Sequence, residues 1–287
     1  QNQTDDAVRE LQQQSQHLVM DATDVSCVAS SGVVLSLAHK AGLQSSFPLL
    51  KKNYKFAEVK LFGRIQGRDG DYLIAIGIED SYLASKKYFY CQDGVSWAQL
   101  PTPTAEMKAT CDKIPAGLML TGDIAFVYQL PALPLASGEE DEAEGPKITE
   151  EERLAVLVEA IDAETALAPV GALSMRPAGN VLPNPAFKGL DANAAQSLSS
   201  YVLLNKPKLT SVLDAPTEKS ADALATADSI VPKAAMRFTT DDSVGAVVVR
   251  NLLWPGAMAF CKPGTSSWGY CYFGTGEKNR DIAFMLP

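Results

Sequence analysis

The sequence predicts an α+β fold, in which antiparallel β-hairpins form a mixed sheet core and helices are inserted between two groups of strands. Three observations carry that reading. Strand-like runs pair around turn signals between Val59 and Leu100, and strands return from Val244 to the end. Segments of helical spacing fall between those groups, rather than alternating strand by strand as βαβ units do. The chain has 287 residues, 46% hydrophobic and 21% charged, enough length and apolar content to bury a sizeable core. No internal period of the solenoid or propeller kind is visible.

Residues 1–31 read as a polar, glutamine-rich arm with Val8, Leu11, Leu18 and Val19 at loosely helical spacing. Residues 32–287 read as one domain. From Val33 to Leu50 the apolar spacing is helical, and Pro48 is expected to limit that helix. Val59 to Arg68 and Asp71 to Ile78 flank Asp69-Gly70, a strong two-residue hairpin signal because both positions tolerate positive φ. On that turn Ile65 faces Ile74, Gly63 faces Ile76 and Leu61 faces Ile78. One face then gathers Val59, Leu61, Ile65, Ile74, Ile76 and Ile78, and the other Lys60, Phe62, Arg64 and Gln66. Gly63 is expected to make room for something crossing the sheet. A second hairpin runs from Lys87 to Cys91, turns at Gln92-Asp93-Gly94 and returns from Val95 to Leu100, carrying Trp97. Leu118 to Tyr128 reads as a further strand.

Pro131, Pro134 and Gly138 lead into Glu139-Glu140-Asp141-Glu142-Ala143-Glu144, which predicts a mobile acidic loop at 135–149. Thr149-Glu150-Glu151-Glu152 is a capping box opening a helix. Leu154, Leu157, Val158 and Ile161 are its expected buried stripe, and Pro169 bars its continuation. A second helix is expected from Asp191, presenting Ala194, Leu198, Tyr201 and Val202, and an irregular, partly mobile segment from Lys206 to Pro232. The strands after Val244 include Val247 to Leu253, a Trp254-Pro255-Gly256 break, an aromatic hairpin and a glycine turn.

The charge balance bounds the partners. A net charge of −9 and a pI near 4.8 oppose nucleic acid, whose binding rests on neutralising phosphates. The basic stretch Lys51 to Phe56 therefore reads as the solvated entry to a strand, with Tyr54 and Phe56 packing inward. No apolar run approaches the ~20 residues of a membrane span. Thr4, Asp5 and Asp6 follow Gln1, the opposite of a basic signal-peptide start, so Asn2-Gln3-Thr4 reads as an idle glycosylation pattern. A reducing cytoplasmic compartment with free thiols is the expectation.

Chemistry-bearing patterns are scarce. Cys27, Cys91, Cys111, Cys261 and Cys271 show no CxxC spacing, and His17 and His39 are the two histidines, poor material for a zinc site. Gly274-Thr275-Gly276-Glu277-Lys278 lacks the spacing of a phosphate loop, and Gly63 to Gly70 leads into a hairpin where a dinucleotide fingerprint needs a helix. There is no G-x-S-x-G elbow, and cysteine catalysis would draw on the same few histidines. A hydrolase using paired carboxylates stays open, as does a regulatory module docking basic peptides through the acidic loop. No catalytic, cofactor or metal residue is assigned.

In the last hairpin, a loop at Pro263 to Ser267 sets Cys261 opposite Gly269 and Cys271 opposite Ala259, diagonal on one face and poorly placed for a disulfide. Trp268, Tyr270 and Tyr272 share a strand face near Trp254. They read either as core and edge cover or as anchors of a partner interface. Pro255 cannot donate to a ladder and is expected to blunt an edge.

As a pattern these residues are specific. Leu252-Leu253-Trp254-Pro255-Gly256 followed by Gly269-Tyr270-Cys271-Tyr272-Phe273-Gly274-Thr275-Gly276-Glu277-Lys278-Asn279 resembles the radial spoke head protein 9 family of motile cilia and flagella. The likeness takes in Gly63-Arg64-Ile65, Asp71-Tyr72, Trp97 with Leu100-Pro101, Gly171-Ala172-Leu173, Phe187 with Gly189-Leu190, and Leu198 to Tyr201. It spans roughly Leu35 to Leu286. The resemblance implies a non-enzymatic subunit of the axonemal radial spoke head, passing central-pair signals toward dynein. It further implies hetero-oligomeric assembly with head proteins 4 and 6, no cofactor, and a place in the cytoskeleton of the cilium or flagellum.

Overall fold

A computed structural model describes residues 24–83, 86–115, 117–130, 145–177, 180–204, 226–229 and 235–285. Its strands are β1 (Glu58–Ile65), β2 (Tyr72–Ile78), β3 (Lys87–Cys91), β4 (Ala98–Gln99), β5 (Val127–Gln129), β6 (Lys147–Thr149) and β7 (Leu167–Pro169). There follow β8 (Leu173–Met175), β9 (Val181–Pro183), β10 (Tyr201–Leu203), β11 (Met236–Asp241), β12 (Ala246–Asn251), β13 (Ala257–Cys261) and β14 (Trp268–Gly274). The helices are α1 (Leu37–Tyr54), α2 (Ala105–Cys111), α3 (Glu150–Thr165) and α4 (Ile282–Met285).

Eight strands join in the order β11-β12-β13-β14-β1-β2-β3-β4. Each end of the chain contributes an antiparallel meander, and the two are zipped together by the parallel pairing of β1 with β14. The sheet is therefore mixed, and the helices do come between the strand groups. Three short two-stranded ladders, β5·β6, β7·β10 and β8·β9, lie outside it.

Both faces of the sheet are buried. Beneath one lie Val25, Val28, Leu43, Phe47 and Leu50, packed on Leu61, Leu73, Phe89, Val248, Met258 and Phe260. Beneath the other lie Leu154, Val158 and Ile161 of α3, packed with Phe62, Ile65, Ile74, Ile76, Trp268 and Tyr272. Of the expected stripe of α3, Leu154, Val158 and Ile161 are buried and Leu157 is partly buried. The capping box forms as expected: Thr149 Oγ1 accepts from the Glu152 N–H, and the Glu152 carboxylate accepts from the Thr149 N–H.

This two-sided burial explains the first correction. Ile65 pairs with Tyr72, Gly63 with Ile74 and Leu61 with Ala75, with a register shift between Leu61 and Gly63. The bulge turns Phe62 to the α3 face and leaves Leu61 on the α1 face, so the single apolar face expected of the hairpin is divided. Gly63 takes φ +148°, and a Cβ there would sit 1.8 Å from the Tyr272 carbonyl oxygen. What it makes room for is the neighbouring β14 backbone. The turn is longer than two residues because Arg68 and Asp69 donate their N–H groups to the Leu120 and Thr121 carbonyls, each at 2.8 Å. The run from Leu118 to Tyr128 is correspondingly broken: Leu120 bridges to Gly67, and only β5 is a strand.

Other corrections have similarly local causes. Helix α1 passes through Pro48 to Tyr54, because Leu43, Phe47 and Leu50 keep one buried face on both sides of the exposed proline. Its end is set by Lys55 at φ 58°, donating to the Lys51 carbonyl. Phe56 packs inward as expected, whereas Tyr54 stays exposed and stacks on it at 5.7 Å. Asp24–Ser31, assigned to the arm, is a 3₁₀ helix with Val25, Cys27 and Val28 buried. No α-helix begins at Asp191: two 3₁₀ turns, Ala194–Gln196 and Leu198–Ser200, lead directly into β10. The end of the expected acidic loop is strand β6, while Glu139 to Glu144 lie outside the described residues, as do His17 and most of Lys206 to Pro232. Strand β11, not foreseen, supplies an edge of the sheet, so the Pro255 break lies between inner strands. Cys261 faces Trp268 and Met258 faces Cys271, a one-residue slip that sends the two cysteines to opposite faces.

Candidate functional site

The aromatic residues singled out from the sequence come together, and they do so inside the molecule. Trp254, Trp268, Tyr270 and Tyr272 are 4%, 1%, 3% and 0% exposed, all against the α3 face of the sheet. Within this chain they fill the core, and none presents its ring to solvent. The Trp268 indole nitrogen has no hydrogen-bond partner, whereas the Trp254 indole N–H donates to Glu164 Oε2 at 2.7 Å.

Around Trp254 the two halves of the carboxy-terminal pattern close into one corner. Lys278 lies over the Trp254 ring, 5.6 Å from its centroid, and pairs with Glu164 at 2.7 Å. The Asn279 N–H donates to the Leu253 carbonyl, and its side-chain amide donates to that of Leu252. The Gly276 N–H donates to the Tyr272 hydroxyl at 2.8 Å. Gly256, at φ +100°, brings its backbone against the Phe273 carbonyl, where a Cβ would stand only 2.3 Å away. The glycine turn is thus a clasp between β12–β13 and β14, and Gly274 accepts from the Gln66 N–H to continue the β1·β14 ladder.

Two buried carboxylates anchor α3 to the sheet, neither anticipated from sequence beyond the capping box. Glu150, in the first turn, accepts from the Tyr72 hydroxyl at 2.8 Å, the Tyr128 hydroxyl at 2.6 Å and the Gly122 N–H at 2.7 Å. It also accepts from Thr121 through both its N–H and its hydroxyl. Burial alone would raise its pKa, but the hydrogen bonds from Tyr128, Thr121 and Gly122 outweigh that and hold it below the ordinary value. Asp162, three turns on, pairs with Lys86 and accepts from the hydroxyls of Tyr88 at 3.0 Å and Tyr270 at 3.1 Å. Burial, then the Asp162 charge, pushes both tyrosines well above their usual pKa.

Twelve positions separate these acids, so they lie about 18 Å apart along the helix. A retaining or inverting pair needs its carboxyl groups within ~10 Å. Neither acid lines any of the three described cavities, of about 640, 450 and 390 Å³. Among the described residues no group of three His, Cys, Asp or Glu side chains is placed to hold a metal. No described helix is long and apolar enough to cross a membrane. None of the five cysteines is in a disulfide, and burial raises the thiols of Cys91 to about 12 and of Cys111 and Cys261 to about 11, away from nucleophilic use.

No protein-family profile matches the chain. Individual relatives do. It is 35% identical over 265 residues to radial spoke head protein 9 homolog of Bos taurus and to that of Homo sapiens, covering 90% of this chain and 95% of each of those proteins. The Danio rerio homolog matches at 35% over 266 residues, with the same coverage. The chain belongs to the radial spoke head protein 9 family. The family resemblance carried by Trp254 to Gly256 and Gly274 to Asn279 thus falls on residues that close the corner around Glu164. Those residues fix the position of α3 on the sheet.

Proposed function

We propose that the chain is a non-catalytic structural subunit of the radial spoke head in motile cilia or flagella. The observation that carries this reading is the kinship with radial spoke head protein 9 homologs over nine-tenths of the chain. The geometry supports it: the buried polar side chains around α3 bond one another and fix sheet against helix, which suits a part whose work is to hold its shape under load. In this reading the protein sits in the axoneme, assembles as a hetero-oligomer with the paralogous head proteins 4 and 6, and helps the head pass central-pair contact toward dynein. It takes no cofactor, nucleic acid or membrane. The residues Trp254, Trp268, Tyr270 and Tyr272 serve such an interface by setting the hairpin beneath it.

The test is purification of spoke heads from motile cilia of the source organism, followed by peptide mass spectrometry and imaging of axonemes that lack the chain. The expected result is co-purification through high salt and spokes with incomplete heads. Intact heads and normal beating without the chain would reject the proposal.

A further inference from the structure

On the α1 face of the sheet, arginines from three strands gather around one cavity. Arg237 on β11 stands directly opposite Arg250 on β12, and Arg250 is opposite Met258 on β13, whose own partner on β14 is Cys271. Two residues further along β14, Phe273 is opposite Arg64 on β1. Three guanidinium groups therefore flank a floor of methionine and phenylalanine, from segments up to 186 positions apart in the chain. Over these two adjacent rows opens the largest of the three described cavities, about 640 Å³, with Leu252, Pro255, Asn279 and Ile282 among its walls.

The charge there is compensated only in part. No aspartate or glutamate lines the cavity, in a chain whose net charge is −9. Arg64 makes one ion pair, at 3.5 Å, from Nη1 to Asp71. The Nε atoms of Arg64 and Arg250 are both buried without a hydrogen-bond partner. Two arginines facing each other across a strand pair repel, and a buried donor left unsatisfied costs the fold further. An anion in the cavity offsets the repulsion.

We propose that this cavity binds a carboxylate-bearing segment of a partner protein. Guanidinium forks match carboxylates in shape and charge, which accounts for the arginines. The Met258, Phe273, Leu252 and Ile282 surface accounts for the choice of a peptide: apolar side chains beside the acids would cover it, while a free inorganic anion would leave it wet. The volume falls within the range that encloses a ligand of a few residues. Three cations at one end of a sheet, on an acidic protein, form no track for a nucleic-acid backbone. This site is distinct from the aromatic corner, although Pro255, Gly256 and Asn279 border both.

The experiment uses the full-length chain and a fluorescein-labelled peptide, Gly-Glu-Leu-Glu-Leu-Glu-Gly, read by fluorescence anisotropy. Saturable binding is expected, weakened at least about tenfold in Arg250→Gln and in Arg64→Gln, the loss typical of one charged hydrogen bond. Lys113→Gln, exposed beyond α2, is expected to bind like the wild type, and added salt to weaken binding in all that bind. Thermal melts establish that each variant is folded. The assignment is overturned by absence of saturable binding to the folded wild type, by equal affinity in the arginine variants, or by equal affinity for the glutamine analogue of the peptide. Full displacement by inorganic phosphate at low millimolar concentration overturns it as well, in favour of a bare anion site. Because the probe is synthetic, each of these outcomes leaves membership of the spoke head untouched.

Discussion

Lys278 spans the Trp254 ring, 5.6 Å from its centroid, and both side chains end on the carboxylate of Glu164 in α3. A strand break, a glycine turn and a helix are thereby held at one point. The contributions are unequal. Trp254→Ala removes a side chain that is 4% exposed and should cost about 3–5 kcal/mol. Lys278→Ala removes an ion pair that is a third exposed and a cation–π contact, and should cost about 1 kcal/mol or less. Urea unfolding of both variants checks the ranking. A larger loss from Lys278→Ala would place the corner's stability in its charges.

The Asp162 cluster makes a sharper demand. Truncating Asp162 to alanine leaves Lys86 buried without its counter-charge and strips an acceptor from Tyr88 and Tyr270. The expected loss is about 3–5 kcal/mol. Replacing both partners, in Lys86→Met with Asp162→Leu, removes the orphan charge and should restore more than half of that stability. A double variant as unstable as Asp162→Ala would mean that the tyrosine hydroxyls, and not the lysine, set the cost.

Much of this architecture was legible in the sequence, and the failures share a cause. The order of strand groups and helices and the capping box at Thr149 follow from local pattern, whereas the aromatic strand reads equally as core or interface until its burial is seen. Registers did not. A hairpin read alone has one apolar face, so the pattern groups Leu61 with Ile65 and Phe62 with the polar side, whereas layers cover both sides. The bulge at Gly63 depends on β14, more than 200 positions away. Pro48 misled because its ring breaks a helix only where packing does not continue past it. The arginine cluster was invisible for the same reason: Arg237 and Arg250 meet across β11 and β12, but Arg64 joins them only once the parallel β1·β14 pairing exists.

The stability of the protein should fall at both ends of the pH range, for opposite reasons. Glu150 has its folded pKa held below the ordinary 4.5, so its contribution is full above that value and is lost as pH falls toward the folded pKa, while the unfolded chain takes up the proton first. Tyr82, Tyr88 and Tyr270 are raised above the ordinary 10.0, chiefly by burial, so their contribution is full below pH 10 and is lost as pH rises beyond it. Circular-dichroism melts across pH should show two such limbs. Glu150→Gln should flatten the acid limb and leave the alkaline one. An acid limb unchanged by that substitution would assign it to other carboxylates.

If Arg237 and Arg250 are present for a partner rather than for the fold, removing one should help the isolated chain. They face each other directly across β11 and β12, with no acid in the cavity between them and the other strands. Like charges so placed oppose the pairing, so Arg237→Gln should stabilise by roughly 0.2–1 kcal/mol. For a chain of this size that is roughly 0.3–2 °C in Tm, measurable by calorimetry. The gain should shrink as salt is added, since screening relieves the repulsion in the wild type while the variant has none to relieve. A loss of stability in Arg237→Gln would show that the arginine is satisfied within the fold, and would make it a packing residue whose aliphatic stem covers the sheet edge.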